Sequence, residues 1–75
     1  MRKLVRFEGE FWFIDLSTDD WVFDRVTKEG KREPAGSTVQ WGYFMEILES
    51  GPCVANPPPN PSAEWFINFF KTNNI

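Results

Sequence analysis

The sequence predicts a single α+β domain, with a three-stranded antiparallel meander followed by two C-terminal helices packed on one face of it. Three observations predict that class. Residues 3 to 26 fall into short β-rich runs separated by Gly, Ser and Asp. Two later segments repeat their apolar residues at helical spacing, and a proline-rich stretch divides those two segments.

Lys3 to Phe7 and Phe11 to Leu16 are rich in β-formers, and Glu8-Gly9-Glu10 between them reads as a tight turn. Ser17-Thr18-Asp19-Asp20 is a second polar turn, after which Trp21, Phe23 and Arg25 alternate with Val22, Asp24 and Val26 in a third strand. Lys28 to Gly36 holds no large apolar residue and contains two glycines and a proline, so it is expected to be an exposed charged loop.

Ser37-Thr38-Val39-Gln40 fits a capping box, and a helix over roughly residues 38 to 50 places Trp41, Phe44, Met45 and Leu48 along one stripe. Gly51-Pro52 supplies its stop. Residues 38 to 44 also carry a strand alternation, with Val39, Trp41 and Tyr43 against Thr38, Gln40 and Gly42, and the helix is the preferred reading. Asn56-Pro57-Pro58-Pro59-Asn60-Pro61 can continue neither a helix nor a central strand, so it reads as an extended connector. Asn60-Pro61 then fits a cap and first position of a final helix over Ser62 to Thr72, whose Trp65, Phe66, Phe69 and Phe70 fall within about 140°.

A chain of 75 residues is expected to form one domain. It should bury roughly 60 to 65% of its unfolded surface, near the lower limit for folding without staples. Cys53 is the only cysteine and there is no histidine, so no internal disulfide and no zinc site of familiar spacing can be assembled from this chain. No metal or other cofactor is expected. Aromatic residues make up 17% of the chain and supply the large apolar side chains that a core of this size needs.

Met1 to Arg6 lacks the apolar core of a signal peptide, and no run approaches the ~20 apolar residues that cross a bilayer, so a soluble cytoplasmic protein without membrane contact is expected. The formal charge is −3, and Glu8, Glu10, Asp15, Asp19, Asp20 and Asp24 follow one another without an intervening base. That acidic third argues against direct nucleic-acid binding, which rests on neutralising phosphates with Lys and Arg.

Catalytic signatures are weak. Without histidine, Cys53 has no imidazole base in the chain and a Ser-His-Asp arrangement cannot form; Cys53 is expected to be a small buried apolar thiol. The segment Asp15 to Trp21 lacks the central Gly of a calcium loop, and no phosphate-binding glycine motif occurs. An enzyme is not expected. Pro58-Pro59-Asn60-Pro61 formally contains PxxP without a flanking base, and its connector role is preferred. Trp65, Phe66, Phe69 and Phe70 are expected in the core, because Lys71 alone gives the helix too little positive charge for a membrane surface.

Phe11-Trp12-Phe13-Ile14 puts apolar side chains on both faces of its strand. With both helices on one face, the other needs cover, and a protein partner or a second copy of the chain in a homodimer is the expected source; the alternative is that the helices wrap the sheet or the proline-rich segment covers that face. Function therefore reads as a non-catalytic protein-interaction module using Trp12, Ile14, Trp21 and Phe23. The alternative is an acidic inhibitor or nucleic-acid mimic that docks Asp15, Asp19, Asp20 and Asp24 on a basic surface of a nucleic-acid-handling enzyme. Turn chemistry is the ordinary explanation of those carboxylates.

Overall fold

A computed structural model of the chain describes residues 1–35 and 40–75. Among these residues five strands form one antiparallel sheet: β1 (Arg2–Phe7), β2 (Glu10–Asp15), β3 (Val22–Val26), β4 (Arg32–Pro34) and, after helix α1 (Trp41–Ser50), β5 (Cys53–Ala55), with helix α2 (Ala63–Thr72) last. Their spatial order is β4-β3-β2-β1-β5. The meander stands as predicted, extended by a short strand at each edge.

Local chemistry explains the turns. Glu8 and Gly9 have φ of 53° and 78°, the doubly positive geometry of a type I′ hairpin, which matches the twist of the flanking strands. Between β3 and β4, the amide of Gly30 donates to Thr27 O at 2.9 Å, and that of Thr27 donates to Lys31 O at 2.9 Å. Gly30 sits at φ 79°, and a Cβ there would overlap the backbone carbonyl oxygen of Ala63 at the start of α2. Only glycine suits both the turn and the close approach.

The expected loop over residues 28 to 36 therefore contains β4. Arg32-Glu33-Pro34 has no apolar β-former to announce a strand, but Arg25 on β3 pairs with Glu33 across the ladder at 2.7 Å. Pro34 is tolerated because the strand lies at an edge. At the other edge, β5 adds to β1 through Leu4↔Ala55 and Val5↔Cys53 with an irregular register, and Arg6 N–H donates to Pro52 O at 3.2 Å.

The helices take opposite faces of the sheet, which corrects the expectation that both pack on one. Val5, Trp12, Ile14 and Phe23 pack with Phe44 and Ile47 of α1. Leu4, Phe11, Phe13 and Val26 pack with Phe66 and Phe70 of α2. The connector makes this possible by carrying the chain from β5 back to the β4 side. Arg2 Nε donates to Pro57 O at 3.4 Å on the way, and Arg32 Nη2 donates to Asn60 Oδ1 at 3.1 Å.

Helix boundaries differ slightly from the sequence pattern. Ser37, Thr38 and Val39 of the expected capping box lie outside the described residues. Gln40 is itself the cap, with extended backbone (φ −66°, ψ 148°) and no side-chain cap bond. The strand alternative fails for Trp41 and Tyr43, which are helical. Gly51 closes α1 at φ −73°; a Cβ there would overlap Val5 Cγ1 and meet Ile47 O at 2.7 Å. On α2 the cap is Ser62, whose Oγ accepts from Trp65 N at 3.2 Å. Asn60, expected in that role, has φ 47° and gives its side chain to Arg32 instead. Glu64 in the first turn and Lys71 in the last suit the helix dipole.

Candidate functional site

The proposed greasy face of the sheet is not on the surface. Phe11, Trp12, Phe13 and Ile14 are 8%, 4%, 1% and 0% exposed, because each face of β2 has its own helix. Trp12, Ile14 and Phe23 thus belong to the core beneath α1, and this corrects their assignment to a partner-binding surface. Trp21 alone of the four is outside, at 56% exposure.

Trp21 has a neighbour that the sequence pattern assigned to the core. Trp41, the first residue of α1, is 63% exposed and stacks on Trp21 with ring centroids 6.2 Å apart and planes 17° from parallel. At 100° per residue Trp41 lies about 120° around the helix from buried Ile47 and about 60° from buried Phe44, although it falls within the stripe of Phe44, Met45 and Leu48.

The pair is anchored from below. Both indoles lie on Phe44, at 6.2 Å for Trp21 and 5.3 Å for Trp41. Phe44 meets Phe23 edge-on at 4.8 Å, and Phe23 stacks on Trp12 at 5.1 Å. Five aromatic rings therefore form one continuous column from surface to core, which holds the outer pair in place at little further entropic cost.

The turn leading into Trp21 adds charge. Asp15 Oδ1 accepts from the Ser17 amide at 2.9 Å and from its hydroxyl at 2.5 Å, an Asx-type closure. The Ser17 hydroxyl, followed by the Ser17 amide, holds the Asp15 carboxyl below its usual range. Thr18 Oγ1 donates to Asp20 O at 3.1 Å. Asp19 and Asp20 remain exposed immediately before Trp21.

Asp24 does not belong to this surface, a second correction. It pairs in register with Phe13, is 7% exposed, and lies 3.3 Å from Arg32 Nε. Burial pushes its carboxyl above the usual range, and Arg32 opposes that shift. The same guanidinium sits 5.2 Å above the Phe13 ring. The expected row of four carboxylates reduces to two free ones, because Asp15 serves its turn and Asp24 faces inward.

A second aromatic cluster is half-buried on α2, where Trp65 and Phe69 stack at 5.8 Å. Cys53 is exposed on the β5 edge rather than packed, with Sγ 3.3 Å from Ala55 O. Among the described residues no helix is long and apolar enough to cross a membrane, and no group of three or more His, Cys, Asp or Glu side chains is placed to hold a metal.

Two stacked indoles, with two exposed carboxylates immediately before Trp21 in the chain, can receive cationic side chains, whose charge is drawn to aromatic rings and whose aliphatic stems cover apolar surface. No family model matches this sequence, and comparison with curated proteins and with solved structures likewise finds no match.

Proposed function

We propose that the chain is a non-catalytic protein-interaction module that receives a basic segment of a partner protein across Trp21 and Trp41, with Asp19 and Asp20 supplying charge complementarity. One observation carries this: two tryptophans, each more than half exposed, are stacked on each other and seated on a buried aromatic column. Exposed indoles held in one arrangement have the character of interface hot spots.

Charge favours a different protein over a second copy. In a twofold contact through this patch, Asp19 and Asp20 of both copies would converge, which is unfavourable without cations between them. The acidic-inhibitor alternative contracts into the same proposal, since the two carboxylates left free adjoin Trp21.

The test is affinity capture from native extract with the wild type and with Trp21→Ser/Trp41→Ser, followed by titration of the purified partner. The double variant should weaken binding by at least roughly 30-fold, the equivalent of one hot spot. Asp19→Asn/Asp20→Asn should lose affinity mainly at low salt. A partner held equally well by all three chains overturns the proposal. So does light scattering that shows a homodimer dispersed by Trp41→Ser.

A further inference from the structure

A cavity of about 550 Å³ opens at the other end of the sheet, beside the β1–β2 turn. It lies over the face that packs α2, whereas Trp21 and Trp41 belong to the α1 side. Phe11, Val26 and Phe70 give it apolar walls, with Phe11 and Phe70 5.0 Å apart and inclined at 45°. Arg6, Arg25 and Lys28 contribute cations to its lining, and Glu10 is the acidic side chain there.

Those charges are unevenly used. Arg25 is held by Glu10 at 3.1 Å and by Glu33 at 2.7 Å. Among the described residues, neither Arg6 nor Lys28 forms an ion pair, although both line the cavity. The Arg6 guanidinium stands 5.5 Å from the centre of the Phe11 ring, so a cation and an aromatic face meet at one wall.

We infer that this cavity binds a small anion with a flat apolar body, an aryl carboxylate being the simplest member of the class. Its volume falls within the ordinary range of ligand sites, roughly 300 to 1,000 Å³. The flat body takes the Phe11–Phe70 wall, and the carboxylate takes Arg6 and Lys28. Arg25 stays with its own two carboxylates. The site is independent of the tryptophan pair.

Amide NMR spectra of the labelled chain test this with naphthoate and its uncharged counterpart naphthalenemethanol. Naphthoate should produce saturable shifts centred on Gly9, Thr27 and Phe70, and the alcohol should bind roughly tenfold more weakly, as expected for loss of one charged hydrogen bond. Arg6→Gln/Lys28→Gln should keep a folded spectrum and bring the two affinities together. Equal affinities in the wild type, an absence of saturation at these amides, or shifts centred on Trp21 and Trp41 would each overturn the assignment.

Discussion

Replacing Trp12 and Trp41 in turn by alanine separates a core tryptophan from a surface one. Trp12 is 4% exposed, stacks on Phe23 at 5.1 Å, meets Tyr43 edge-on at 6.2 Å and donates its indole N–H to Phe7 O at 3.4 Å. Removing a buried ring of that size costs ~3–5 kcal/mol through lost transfer energy and the cavity left behind. For 75 residues the total stability is on the order of 4 to 11 kcal/mol, so Trp12→Ala removes a large share of it. Trp41 is already mostly in water, and its loss forfeits two ring contacts, with Trp21 and Phe44, worth about 0.5–1.5 kcal/mol each. With a urea slope of about 1 kcal/mol per molar, the midpoint should drop by ~3–5 M for Trp12→Ala and by about 1–3 M for Trp41→Ala. Urea titration followed by far-ultraviolet circular dichroism measures both. Equal losses, or a larger loss at Trp41, would refute the division into core and surface.

Three further outcomes follow from individual contacts. Gly30→Ala should cost more than ~2 kcal/mol, because positive-φ strain of about 1–2 kcal/mol is joined by overlap with the Ala63 carbonyl. Gly9→Ala, with φ 78° and open space around its Cβ position, should show the strain alone, and thermal midpoints of the two variants check the difference. Asp24 is titrated while buried, so its folded pKa lies above the unfolded value of about 3.9. The native state then holds the extra proton, and the Asp24 contribution is full below that value and is lost as pH rises through the folded pKa. Denaturant titrations across this window should therefore show the stability of wild type relative to Asp24→Asn falling as pH rises; a difference that stays flat or grows would contradict the burial. Ser62→Ala should cost ~1 kcal/mol through loss of the α2 cap, read from the urea midpoint.

The parts legible in the sequence were those whose side chains follow a period. β1, β2 and β3 were marked by β-formers and by the Glu8-Gly9 turn, and α2 by four aromatics on one arc. β4 was hidden because Arg32-Glu33-Pro34 is held by ladder bonds and the Arg25–Glu33 pair rather than by apolar burial. β5 was hidden by its length, three residues just after a helix stop.

The candidate site was only partly legible, for a different reason. The alternation of Phe11, Trp12, Phe13 and Ile14 correctly marks a strand apolar on both sides. Which face each helix covers depends on the path of the connector, and that path is set by contacts such as Arg2 to Pro57 and Arg32 to Asn60, distant in sequence. Once α1 and α2 take one face each, the surplus of aromatic side chains moves from the sheet to its end. Trp21 emerges there with Trp41, and Asp24 turns inward to Arg32.

Fluorine NMR of the chain carrying fluorotryptophan at positions 12, 21, 41 and 65 reads the tryptophans separately while a captured partner is added. The Trp21 and Trp41 signals should shift with saturation while that of Trp12 stays in place. Binding that moves Trp12 and leaves the stacked pair unchanged would contradict the proposed recognition surface.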